Sequence, residues 1–444
     1  MPGAPTGSRS PAPGKGSKDP EDINADGYRD LVIPVGVGGD PVNPGGDQRI
    51  AVIYGSAMGP DPSTRTVYGR RDLGLPEPAE GTARRDAVPA DGMVTADLDG
   101  DGFPDFVTTV EGKHVDDEQV SAPRTVPYVT WGGPNGPKEG TEAAPVGLPS
   151  SASKLGLESV VSGDFDGDGH HDLASLAQNH SSMVLLYGPF SRSGAPTRTD
   201  TGLPWSDGEL VADDIDPSGS PRVTSLLLHG TSDGEQSGNT LYPARRGSGP
   251  SPNGKRLRPG NAHAFGDFDG DELRDVAVGD DGSRNDEPGY ETEAPDVDGS
   301  LSVYPGGGGK PFTHRLPDVP KGAGNDYGPG RFAAADPDGD GRDGILVATY
   351  KGATLIDGDK RTTVLREGPA KAGGKKTAAK WRHARPAGAA DFDGDGKDEL
   401  ILHWAPGPMF GLYGERPTHW WITDGTTSRD KASFTTKGFV RRAS

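Results

Sequence analysis

The nine residues Asp97-Leu-Asp-Gly-Asp-Gly-Phe-Pro-Asp105, followed directly by the apolar run Phe106-Val-Thr-Thr-Val110, decide how this chain folds. The same pattern returns as Asp22-Ile-Asn-Ala-Asp-Gly-Tyr-Arg-Asp30, Asp164-Phe-Asp-Gly-Asp-Gly-His-His-Asp172, Asp267-Phe-Asp-Gly-Asp-Glu-Leu-Arg-Asp275, Asp336-Pro-Asp-Gly-Asp-Gly-Arg-Asp-Gly344 and Asp391-Phe-Asp-Gly-Asp-Gly-Lys-Asp-Glu399. A worn copy, Asp214-Ile-Asp-Pro-Ser-Gly-Ser-Pro-Arg222, fills the one large gap. Successive copies lie 75, 67, 50, 53, 69 and 55 residues apart, so one unit repeats and its length varies in loops.

Each copy runs into a short strand signal rich in β-branched and small residues, such as Leu31-Val-Ile-Pro-Val35, Leu173-Ala-Ser-Leu-Ala177 and Leu400-Ile-Leu-His-Trp404. A second run follows and often ends in an aromatic and a glycine: Ile50-Ala-Val-Ile-Tyr-Gly55, Tyr128-Val-Thr-Trp-Gly132, Met183-Val-Leu-Leu-Tyr-Gly188. Small-residue stretches such as Met93-Val-Thr-Ala96 and Phe332-Ala-Ala-Ala335 precede most copies and suit strands packed near an axis. A unit of about 60 residues with roughly four strands is one propeller blade, so an all-β, seven-bladed β-propeller with about four antiparallel strands per blade is expected over residues 21–444.

Composition agrees. Of 444 residues, 70 are Gly and 42 Pro, which suits many strands and turns and excludes helical bundles. No window approaches 18 consecutive apolar residues, so no transmembrane segment is expected. The absence of cysteine excludes disulfides, thiolate metal sites and a cysteine nucleophile. A net charge of −20 disfavours nucleic acid, whose phosphates require Lys and Arg, and favours divalent cations.

The repeated loop has the chemistry of a Ca²⁺ cage. Calcium takes six to eight oxygens at about 2.3 to 2.6 Å, and alternating Asp in a tight Gly-containing turn directs carboxylates inward from positions 1, 3 and 5. Position 7 offers a backbone carbonyl. Where an EF-hand needs Glu at position 12, this chain has Thr108 and Ser175, and an acid at position 9 takes that role. The expected ligands are Asp22, Asn24, Asp26, Tyr28 and Asp30; Asp97, Asp99, Asp101, Phe103 and Asp105; Asp164, Asp166, Asp168, His170 and Asp172; Asp267, Asp269, Asp271, Leu273 and Asp275; and Asp391, Asp393, Asp395, Lys397 and Glu399. In the loop at 336, Asp336, Asp338, Asp340 and Arg342 are kept, but Gly344 stands at position 9 with Asp343 displaced by one, so weaker binding is expected there. Ser218, Ser220 and Arg222 argue against metal in the loop at 214, leaving five or six ions.

The strand, Asp-x-Asp-x-Asp-Gly-x-x-Asp, strand pattern resembles the FG-GAP (VCBS) repeat of the integrin α-subunit N-terminal β-propeller and its bacterial relatives, over about residues 20 to 440. The resemblance implies calcium-holding hairpins in many blades and protein or glycan ligands recognised on the opposite face. A calcium-stabilised, non-catalytic binding or adhesion scaffold is therefore expected; the alternative is a secreted hydrolase or lyase with its active site in the central cleft. No His-Glu-x-x-His pair or phosphate loop occurs, and no catalytic residue is assigned.

Residues 1–20 are Pro/Gly/Ser-rich and read as a disordered tail without a visible signal peptide. Weak extracellular calcium modules bind at roughly 10⁻⁴ to 10⁻³ M, which favours a secreted or cell-surface setting. Ser433–Val440 is expected to close the ring beside the N-terminal repeat, giving a monomer without exposed sheet edges. Three long connections, Val35 to Gln48, Glu111 to Arg124 and Asp280 to Gly299, could form a partner surface. Lys360 to Arg385 is a basic island that suits either an anionic polymer or headgroup surface or a flexible inter-blade loop, and Trp404, Trp420 and Trp421 suit buried packing or sugar stacking.

Overall fold

A computed structural model describes residues 9–37, 47–78, 87–89, 92–116, 121–138, 140–230, 237–282, 299–318, 331–372, 374–406 and 417–440. Among these, seven antiparallel sheets form the blades of a propeller. Blade 1 has three strands, Leu31–Val37, Asp47–Ile53 and Arg65–Tyr68. The other six have four each, and blade 3 is typical: Leu157–Gly163 innermost, then Asp172–Ala177, Met183–Tyr187 and Arg198–Leu203 at the rim. In blades 2, 3, 5, 6 and 7 the first two strands are joined by the Asp-rich loop in a constant register. The residue before position 1 faces the residue at position 9: Ala96 with Asp105, Gly163 with Asp172, Gly266 with Asp275, Ala335 with Gly344 and Ala390 with Glu399.

The core lies between blades and not within them. Each of the seven junctions holds its own apolar cluster, and one of these joins Leu31, Ile33 and Ile53 of blade 1 to Phe392, Ile422 and Phe434 of blade 7. The side chain at loop position 2 plugs these clusters: Ile23, Leu98, Phe165, Phe268 and Phe392 are all buried. This also dictates the small residue before the loop. A Cβ at Gly266 would stand 2.5 Å from the Phe268 ring.

Ring closure departs from expectation. Asp430–Thr435 pairs with His419–Thr423 as the outer strand of blade 7, not beside Leu31–Val37. Closure comes from side chains instead. Phe434 and Phe439 stack at 5.7 Å inside the blade 7 and blade 1 cluster, and the Arg65 guanidinium lies 4.3 Å over Phe439.

The N-terminal segment is also corrected. Residues 9–20 run as an ordered strap across the loop face: Arg9 N–H donates to Ser63 O (2.7 Å), Gly14 N–H to Asn24 O (2.8 Å), Lys15 N–H to Ala25 O (3.0 Å) and Ser17 N–H to Gly102 O (2.7 Å). Asp19 then pairs with Arg29 at 2.8 Å. Residues 1–8 lie outside the described residues.

The connections at 38–46 and 283–298, within two of the expected partner loops, fall outside the described residues. The third forms a long hairpin arm, Asp105–Asp116 with Ser121–Thr130. The basic island is not a flexible loop: Lys360–Val364 is the rim strand of blade 6, Arg366 pairs with Asp430 (2.7 Å), Arg382 pairs with Glu367 (2.6 Å), and buried Arg385 donates to Thr349 O (2.6 Å). Trp404, Trp420 and Trp421 are buried, as packing requires. Among the described residues no helix is long and apolar enough to cross a membrane.

Candidate metal centres

Each loop is first a network of Asx turns. The position 1 carboxylate accepts from backbone N–H groups at positions 5 and 6: Asp164 Oδ1 from Asp168 (3.0 Å) and Oδ2 from Gly169 (3.1 Å), with Asp22, Asp267, Asp336 and Asp391 alike. Position 5 accepts from position 7, as in Asp26 from Tyr28 (3.1 Å), Asp101 from Phe103 (3.0 Å), Asp168 from His170 (2.8 Å), Asp271 from Leu273 (2.9 Å), Asp340 from Arg342 (3.0 Å) and Asp395 from Lys397 (3.0 Å). These local bonds curl the loop so that several carboxylates face one point.

Five loops bring three acids together with ligand oxygens within 4.8 Å of one another: Asp97, Asp99 and Asp101; Asp164, Asp166 and Asp172; Asp267, Asp269 and Asp271; Asp336, Asp338 and Asp340; Asp391, Asp393 and Glu399. Position 9 joins the cluster only in the loops at 164 and 391. The loop at 22 has Asn24 at position 3 and contributes Asp22 and Asp26 around it. In the loop at 214, Arg222 folds back to donate to Asp214 O at 2.6 Å.

The donor set fits a hard cation. Asn24 Oδ1, Asp97 Oδ1, Asp166 Oδ1 and Asp393 Oδ1 are buried and accept no hydrogen bond, although each belongs to a loop crowded with donors. A buried oxygen left without a donor is costly, and a cation at the loop centre would satisfy it. Burial also pushes the position 9 acids up: Asp105 and Asp172 to about 8, Glu399 to about 7 even with Lys431 beside it, and Asp275 to about 6.

Position 9 has a second duty that the sequence reading assigned wholly to metal. Asp105 Oδ2 accepts from Leu98 N–H (3.0 Å) and Oδ1 from Gly132 N–H (2.8 Å); Asp30, Asp172 and Asp275 repeat this with Ile23 and Gly55, Phe165 and Gly188, and Phe268 and Gly306. The carboxylate thus ties its loop to the end of the strand before that glycine, the third strand in blades 2, 3 and 5 and the second in blade 1. This explains the aromatic-glycine signal, because a Cβ there would strike the position 8 carbonyl: at 2.3 Å for Gly55, 2.2 Å for Gly132, 2.5 Å for Gly188 and 2.4 Å for Gly306. Blade 6 drops the device as a unit, with Gly344 lacking the carboxylate and Pro337 at position 2 lacking the N–H.

Sequence reasoning missed position 8, which reaches back to the preceding blade. His171 Nδ1 accepts the Asp97 N–H at 2.8 Å, Asp343 Oδ2 the Asp267 N–H at 2.8 Å, and Asp398 Oδ2 the Asp336 N–H at 2.8 Å. Arg274 makes the equivalent reach to Asp213 at 2.8 Å. Asp343 is therefore an inter-blade acceptor and not a displaced ninth ligand. Burial lowers the His171 imidazole to about 4, leaving it neutral and able to accept. The available signal was a polar residue recurring between the variable seventh position and the ninth.

A family model described as an FG-GAP-like repeat matches residues 97–175. No curated protein matches the chain. Among solved structures, the chain is similar to an Agrocybe aegerita lectin described as recognising non-reducing terminal N-acetylglucosamine, at 12% identity and a TM-score of 0.43, covering 87% of this chain and 89% of that one. It is also similar to the V. cholerae biofilm matrix protein Bap1, at 12% identity and a TM-score of 0.28, covering 96% and 84%.

Proposed function

Because this chain is an FG-GAP repeat β-propeller, we propose that it is a calcium-binding, calcium-stabilised scaffold whose loops opposite the metal face bind a protein or glycan ligand without catalysis. The observation that carries the metal reading is the set of buried, unpartnered oxygens Asn24 Oδ1, Asp97 Oδ1, Asp166 Oδ1 and Asp393 Oδ1 inside loops that gather acids. Calcium would supply the positive charge these oxygens lack. Carboxylates at positions 1, 3 and 5 would hold it, with Asp172 and Glu399 joining from position 9 and carbonyls at position 7 completing the shell.

Five or six ions would use most of the chain's acidity. The seven loops carry 24 carboxylates at positions 1, 3, 5 and 9, and six divalent ions would move the net charge from −20 to −8. Such sites suit the calcium concentrations outside cells, which supports a secreted or cell-surface setting. The test is a thermal melt in excess calcium and in chelator, with the bound metal counted by elemental analysis. Bound metal adds its binding free energy to stability. A chelator-induced fall in melting temperature with five or six calcium ions per chain is expected, and identical melts would refute the reading. A glycan array and a surface-protein screen in calcium would then identify the ligand.

A further inference from the structure

Among the described residues, three loops have their position 3 carboxylate ion-paired to a Lys or Arg from outside the loop. Lys431, on the rim strand of blade 7, bonds Asp393 Oδ2 and stands 3.8 Å from Glu399 Oε1. Arg198, at the corresponding rim of blade 3, bonds Asp166 Oδ2 at 2.7 Å and lies 3.5 Å over the Tyr187 ring. Arg192 reaches from blade 3 to the loop of blade 2, where it bonds Asp99 and, at 2.6 Å, Asp101 Oδ2, stacked 4.9 Å over Trp131. In the loops at 164 and 391 the cation takes one oxygen of the position 3 carboxylate, and the other oxygen, Asp166 Oδ1 or Asp393 Oδ1, is buried without a partner. The position 3 acids of the adjacent blades 5 and 6, Asp269 and Asp338, are exposed and form no ion pair among the described residues; Arg342, near Asp338 and Asp340, is bonded instead to Asp357.

We infer that Lys431, Arg198 and Arg192 are resident counter-cations that keep their loops closed when metal is absent, so that calcium dependence is graded around the ring. The inference rests on reading the loops as calcium sites. Three carboxylates within 4.8 Å repel one another unless a positive charge lies among them. A Lys or Arg supplies one charge and calcium two, so a loop with a resident cation has two closed states. A loop without one has only the metal-bound state. Metal affinity is the difference between empty and filled loop. A resident cation that stabilises the empty form therefore weakens the affinity while protecting the shape. Aromatic stacking holds Arg198 and Arg192 in place, with Arg198 also fixed by its rim strand, which limits the entropy lost in holding the pair.

The test compares hydrogen exchange of the loop amides in wild type, Lys431→Met and Lys431→Arg, each in chelator and in excess calcium. In chelated wild type, amides of 267–275 and 336–344 should exchange faster than those of 391–399. Chelated Lys431→Met should expose 391–399 by roughly tenfold, the scale of one partly screened charge pair. Lys431→Arg should match wild type, and calcium should erase the difference between all three. Equal protection of 391–399 in chelated Lys431→Met, or the same loss with calcium bound, would overturn the inference. Absence of any calcium effect on wild type would instead overturn the reading on which it rests.

Discussion

Asp105 and Gly132, 27 residues apart, are joined by a 2.8 Å bond from the glycine N–H to the carboxylate, and the contact leaves no room for a side chain. It links the Asp-rich hairpin to the third strand of blade 2, and the same link recurs to the third strand of blades 3 and 5 and the second of blade 1. The acid at position 9 and the glycine after the aromatic are thus one device. Local turns shape the loop, and this bond sets where it points.

Gly132→Ala should test that device. Its Cβ would stand 2.2 Å from Pro104 O, so the backbone must move and the Asp105 bond lengthen. A loss of about 2 to 4 kcal/mol is expected in urea unfolding, from strain together with a weakened buried bond. A loss below about 0.5 kcal/mol, the range of an ordinary surface change, would show that the close approach relaxes freely.

The inter-blade acceptors at position 8 predict an additive pair. His171→Ala leaves the buried Asp97 N–H without an acceptor, and Asp398→Ala does the same to Asp336 N–H on the other side of the ring. Each should cost about 1 to 3 kcal/mol, and the double variant should cost their sum because the sites share no partner. Chemical denaturation of the four proteins checks both the size and the additivity.

Closure by packing predicts sensitivity at Phe434. This side chain is 1% exposed within the cluster that joins blade 7 to blade 1. Phe434→Ala should cost about 3 to 5 kcal/mol and lower the single melting transition of the whole propeller. A separate low-temperature transition confined to blade 7 would mean that the ring does not melt as one unit.

His263 predicts an acid dependence. Its ring lies 4.7 Å from that of His229, and burial lowers its pKa to about 3 from an ordinary 6.5. Below 6.5 the unfolded chain takes a proton that the folded chain refuses. This contribution is therefore fully present above 6.5 and is lost as pH falls toward 3, by at most about 1.4 kcal/mol per pH unit. The raised carboxyls Asp105 and Asp172 act in the opposite sense at higher pH, so the readout is the difference between His263→Asn and wild type. That difference should narrow steadily from pH 6.5 to 4; a constant offset would show that His263 does not titrate in this way.

The repeat made the propeller legible. Asx turns are local, so Asp, Gly and their spacing specify each loop within nine residues, and the strands around Phe106, Leu173 and Leu400 appear where the apolar runs lie. Seven motifs imply seven blades because each blade can bury its faces only against neighbours. The acid triads followed from the same local rule, apart from which of positions 5 and 9 joins them.

What the linear order could not reveal are contacts between residues that only the ring brings together. His171 meets Asp97, Asp343 meets Asp267 and Lys431 meets Asp393 across 74, 76 and 38 residues. The strap at 9–20 looked disordered because its composition offers no core, yet it is held by backbone bonds to loops whose position the fold decides. Loop chemistry is settled by neighbours in the chain, whereas closure and the pairing of loop charges depend on rotation from blade to blade, which no nonapeptide encodes.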